Sequence, residues 1–110
     1  MLIDIIDKNG YKIIDVKEKR IDASNVYSFR NIVLDTTKKT DNIIIDFSTV
    51  EFVDSSMLST LIYLFKVTQK ENKKLYIAGL SKKLWNLFDI TGLTSIFKIL
   101  NNISECPEQV

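Results

Sequence analysis

A short β-branched run, Ile43-Ile44-Ile45 with Asp46 and Phe47, leads through a polar loop into a strongly periodic stretch. In that stretch Leu58, Leu61, Ile62 and Phe65 recur at i, i+3, i+4 and i+7, the spacing of one face of an amphipathic helix over residues 58–70. The run from Ile43 to Phe47 reads as a buried strand because it is short and β-branched. A buried strand feeding an amphipathic helix commits the chain to layers of helix on sheet.

The flanking segments extend this pattern. Residues 2–6 and 11–16 are rich in β-formers and are joined by Asp7-Lys8-Asn9-Gly10. Asn-Gly between two such runs predicts a hairpin. Asp22-Ala23-Ser24-Asn25 offers N-cap residues. Val26, Phe29, Ile32 and Val33 then share a helical face that ends near Lys38-Lys39. Leu75-Tyr76-Ile77-Ala78 reads as a fourth strand ending at Gly79. Ser81 can cap a short helix bearing Leu84, Leu87 and Phe88, with Gly92 as a stop. Residues 95–100 are expected to form a last strand. The sequence thus predicts an α/β domain: a mixed β-sheet opened by an N-terminal hairpin and covered by helices. It spans residues 1–100, and residues 101–110 form a polar tail with the only proline.

Composition narrows the function. The 110 residues include no histidine and one cysteine, Cys106. Ser–His and Cys–His nucleophiles are therefore impossible, and the usual general base is missing. A zinc site would need carboxylates and a single thiol, a poor donor set. No catalytic residue, metal site or cofactor is expected, and Cys106 reads as an incidental thiol. The formal net charge is +1, which gives no general attraction to nucleic acid. No apolar run approaches the roughly 20 residues that span a bilayer. The N-terminus lacks the basic and apolar regions of a secretory signal. The expectation is a cytoplasmic protein with neither nucleic-acid binding nor membrane insertion.

The loop Val53-Asp54-Ser55-Ser56-Met57 carries the functional signal. A serine at a helix start lies beside free N–H groups and the positive end of the dipole, a setting that suits phosphate. Ser55 reads either as a phosphoacceptor or as a plain N-cap, with no reciprocal glutamate for a capping box because Leu58 stands three residues on. Asp54 is either a partner- or Mg²⁺-facing acid or an ordinary helix-start acid. Asp46 reads equally as facing inward or outward on its strand. Trp85 and Phe88 mark either core or a partner-facing edge. Asp4, Asp7 and Asp15 read as solvated.

Three segments resemble the STAS family, the anti-sigma factor antagonists of bacteria and their relatives. They are Arg20-Ile21-Asp22-Ala23-Ser24-Asn25, the run from Ile45-Asp46-Phe47 through Phe52-Val53-Asp54-Ser55-Ser56-Met57-Leu58, and Leu87-Phe88-Asp89-Ile90-Thr91-Gly92-Leu93. The resemblance implies that the serine after the aspartate, Ser55, is phosphorylated by an anti-sigma factor that doubles as a serine kinase. Ser56 is the second choice. A serine phosphatase resets the cycle, and Mg-ATP belongs to the kinase. Asp22, Asp54, Ser55, Ser56 and Met57 are the expected partner-binding residues, with Asp22 near the site by analogy. The chain departs from the family at Met57, where glycine is usual, and at Lys19, where glycine is common. Because the inward stripe is expected to begin at Leu58, Met57 is expected to be at least partly exposed. The alternative reading is a non-phosphorylated STAS subunit of a larger signalling or lipid-transport assembly.

Overall fold

The computed structural model describes residues 1–105. Of the expected tail, Cys106 and residues 107–110 lie outside the described residues, while Ile103–Glu105 form a 3₁₀ turn. The chain opens with β1 (Ile3–Lys8) and β2 (Tyr11–Val16), paired antiparallel in full register. Asn9 and Gly10 both hold positive φ, 53° and 82°, as a type I′ turn requires. After a short β3 (Arg20–Ile21) come α1 (Val26–Thr37), β4 (Asn42–Asp46), β5 (Phe52–Val53), α2 (Ser55–Lys70), β6 (Lys74–Ala78), α3 (Lys82–Ile90) and β7 (Ile99–Leu100). One sheet has the order β1-β2-β4-β6-β7, parallel throughout except for the hairpin, and β3 pairs with β5 in a separate two-stranded parallel sheet. The mixed sheet with covering helices is the architecture the sequence predicts.

Strand parity divides the core. Ile14, Val16, Ile43, Ile45, Phe47, Leu75 and Ile77 meet the buried sides of all three helices, through Phe29, Val33, Leu61, Leu64, Leu84 and Phe88. Tyr11, Ile13, Ile44, Ala78 and Leu100 form a second cluster, against which Ile103 packs. Burial on both faces explains why β4 shows no alternation. Phe88 meets Phe47 edge-on at 6.0 Å, while Trp85, on the same helix, is exposed. The two aromatics therefore divide between core and surface. Ser81 caps α3 by accepting from Leu84 N.

Two expectations need correction. The segment after Gly92 does not extend from residue 95: Leu93–Ser95 form a 3₁₀ turn, and only Ile99–Leu100 pair as a strand. A turn is favoured because Leu93 and Phe97, four residues apart, are both buried on one side. The second concerns α2, whose stripe is displaced. Met57, Leu61, Leu64 and Thr68 are its buried residues, and Leu58, Ile62 and Phe65 flank them.

At the carboxyl end of β4, Asp46 faces inward and is 5% exposed. Its Oδ1 accepts from Ser48 N and Ser48 Oγ. Gly79, at φ +76°, lies against this pair: a Cβ there would stand 2.5 Å from Ser48 Oγ and 2.7 Å from Asp46 Oδ1. Close approach and a left-handed backbone both call for glycine. This corner turns the chain out of the main sheet towards β5 and the start of α2.

Candidate functional site at the start of helix α2

The short β3–β5 pair builds the site. Arg20 aligns with Phe52 and Ile21 with Val53, and Asp54 N continues the ladder by donating to Ile21 O at 3.3 Å. Arg20 also lies over the Phe52 ring, 4.0 Å from its centre. Two segments far apart in sequence, residues 20–25 and 52–57, thereby run side by side.

Asp54 is the N-cap of α2. Its Oδ1 accepts from Ser56 N (3.0 Å), Met57 N (3.2 Å) and Ser56 Oγ (2.5 Å). Its Oδ2 accepts from Ala23 N at 3.1 Å. One carboxylate thus closes the first turn of α2 and ties it to the loop before α1. The expectation that the helix offers free N–H groups to a phosphate is corrected, because Asp54 already occupies two of them. The N-cap reading of Ser55 is corrected on the same ground. Ser55 is the first helical residue, is exposed, and its hydroxyl makes no hydrogen bond among the described residues. Ser56 is half-buried, with its hydroxyl held by Asp54.

Asp22 lies in the loop that Asp54 reaches. Its Oδ1 accepts from Ser24 N and Ser24 Oγ, and its Oδ2 from Arg20 Nε. It shapes the loop and does not cap α1 through its carboxylate. Asn25, at the N-cap position of α1, accepts from Asp22 N and donates to Arg20 O, and makes no side-chain cap. Asp22 directly follows β3.

The Ser56 hydroxyl, aided by the Met57 and Ala23 N–H groups, holds the Asp54 carboxyl below its ordinary pKa against a smaller effect of burial. The Ser24 hydroxyl and N–H, with Arg20, do the same for Asp22. A carboxyl depressed in the fold contributes stability above its unfolded pKa and loses it as pH falls through the folded value. Wild type is therefore expected to lose stability progressively below about pH 4. Asp54→Asn is expected to lower the urea midpoint at pH 7 and to flatten this acid-side slope. An unchanged slope in that variant would show that Asp54 is not a source of it.

Met57 reverses its expected placement. It is 0% exposed, inside the core between sheet and helices, because α2 begins at Ser55 and its third residue already points inward. Met57 cannot touch a partner as a surface residue; its part in the site is to anchor the first turn. A groove of about 250 Å³ between β5 and α3 is lined by Glu51, Phe52, Val53, Lys83, Leu84 and Leu87. It adjoins Asp54 through Val53. Neither this groove nor the Ala23–Asp54 link is read from the sequence, since both depend on the β3–β5 pairing. Among the described residues no group of three or more Asp, Glu, Cys or His is placed to hold a metal ion. No helix among them is long and apolar enough to cross a membrane.

The STAS domain family model matches residues 3–106. An anti-sigma-B factor antagonist of Listeria monocytogenes is 39% identical over 57 residues, 52% of this chain and 50% of that protein. The matched stretch thus spans only half the length of that relative. The structure of an anti-sigma-factor antagonist (STAS) domain protein from Planctomyces limnophilus superposes with a TM-score of 0.84 at 16% identity, covering 94% of this chain and 92% of that one. The Bacillus cell fate determinant SpoIIAA in its phosphorylated form superposes with a TM-score of 0.67 at 15% identity, covering 89% and 90% of the two chains. At these identities the superpositions establish the fold.

Proposed function

The chain belongs to the STAS domain family, and on that premise we propose that it is an anti-sigma factor antagonist switched by phosphorylation of Ser55. It binds an anti-sigma factor that doubles as a serine kinase and performs no chemistry itself. A serine phosphatase returns it to the binding form. It works in the cytoplasm, where sigma factors act. The observation that carries this reading is the contrast between the two serines: Ser55 presents an exposed, uncommitted hydroxyl, while Asp54 holds that of Ser56.

The proposed switch acts through local charge and hydration. A phosphate adds about −1.5 to −2 charge at neutral pH, turning the net +1 slightly negative. The usual compensation at a helix start is partly withdrawn, because the Ser56 and Met57 N–H groups already serve Asp54. The new dianion therefore stands beside a carboxylate and keeps its own hydration. Burying it against a partner costs free energy unless that partner supplies cations. The unmodified face, by contrast, carries only a small neutral hydroxyl at that point.

Met57 in place of the usual glycine would favour the reading of a non-phosphorylated assembly subunit if its side chain crowded Ser55. Its burial removes that argument. The test is phosphopeptide mapping after incubation with an anti-sigma factor kinase of the source organism and Mg-ATP. One phosphate on Ser55 is expected. Modification confined to Ser56 would move the site, and no modification by a kinase that binds the chain would favour the assembly subunit.

A further inference from the structure

On the outer surface of α1 and α2, Arg30 lies over two tyrosine rings at once. Its guanidinium carbon is 5.2 Å from the ring centre of Tyr27 and 4.8 Å from that of Tyr63. Tyr27 is 66% exposed and Tyr63 43%. Cation–π contact fixes the plane of the guanidinium but accepts none of its N–H groups. Arg30 Nε is buried without a hydrogen-bond partner, and among the described residues Arg30 makes no ion pair. The chain's other arginine, Arg20, is paired with Asp22. α2 carries Lys66 and Lys70 and no acidic residue, and the one acid of α1, Asp35, lies 3.9 Å from Lys38 and makes no ion pair with Arg30.

From these contacts we propose that Tyr27, Arg30 and Tyr63 form a second contact point for the protein partner, one that receives an aspartate or glutamate side chain set in an apolar rim. Tyrosine and arginine are, with tryptophan, the residues most enriched among the anchors of protein interfaces. With Nε buried, the two terminal nitrogens of the guanidinium are the ones that can engage a carboxylate, end-on, with two parallel hydrogen bonds. The flanking rings would be covered by the partner's apolar rim. α1 starts at the loop that Asp54 ties to α2, Tyr27 lies in its first turn, and Tyr63 lies about two turns along α2 from Ser55. A partner would thus meet a phosphate-sensitive point at Ser55 and a cationic, aromatic point along the two helices. This inference rests on the proposed function, in that it assumes a protein partner.

Calorimetric titration of the unmodified chain against the anti-sigma factors of the source organism tests it. Arg30→Gln is expected to weaken binding about tenfold, and Arg30→Lys to restore only part, since it returns the charge without the planar fork. Tyr27→Ser, at an exposed position, is expected to weaken binding several-fold, and it keeps the test valid should the Arg30 variants lose stability. Native affinity in Arg30→Gln and Tyr27→Ser, with weakened binding in Ser55→Asp, would overturn the second contact point while leaving the switch standing. No binding by wild type would overturn both. Sedimentation of the chain alone covers the rival occupant: if Arg30→Gln changes self-association and not partner affinity, the patch serves a second copy and the proposal falls.

Discussion

Met57→Gly is expected to lower the unfolding free energy by about 3–6 kcal/mol. Met57 is fully buried among the core residues that join the sheet to the helices. Truncating a buried methionine to alanine costs about 2–5 kcal/mol, through lost transfer energy and the cavity left behind. Glycine inside a helix costs about 1 kcal/mol more than alanine. Domains of this size are stable by about 5–15 kcal/mol in total, so the loss is a large fraction of the whole. Urea unfolding followed by circular dichroism measures it. A loss below about 1 kcal/mol would show that the side chain is not packed in the core. The residue therefore bears on the switch by holding the first turn of α2.

Ser55→Asp is expected to act in the opposite way, on binding and not on the fold. Ser55 is exposed at the first helical position and its hydroxyl has no partner among the described residues, so nothing is lost on replacing it. An acid there is favoured by the helix dipole but stands beside Asp54, and the two effects oppose each other. Stability should stay within about 0.5 kcal/mol of wild type. Affinity for the anti-sigma factor should fall at least tenfold, about 1.4 kcal/mol, because a charge must now be buried at the contact. Equal affinity would remove Ser55 from the contact face.

The hairpin, the helices and the buried central strand are legible because each rests on a local signal: Asn9-Gly10, the spacing of Val26, Phe29 and Val33, and the run from Ile43. The frame of α2 is harder to read. Leu58, Leu61, Ile62 and Phe65 satisfy a helical stripe, yet Met57, Leu61, Leu64 and Thr68 are the residues turned inward. A rotation of a single residue position is invisible when apolar residues lie on both sides of the true axis. β3 and β5 are two residues each, too short for any periodicity, and their pairing is a long-range contact. That pairing brings Ala23 N to Asp54 Oδ2, so the link between the two halves of the site had no signature in the residues themselves. The position of Ser55 at the helix start was legible; the capture of the helix end by Asp54 was not, since Asp54 and Ser55 are both good caps.

The most direct measurement compares unmodified chain with chain phosphorylated on Ser55, titrated calorimetrically against the same anti-sigma factor. The unmodified form should bind, and the phosphorylated form should bind at least tenfold more weakly with an unchanged far-ultraviolet circular dichroism spectrum. Equal binding of the two forms would contradict a switch at Ser55.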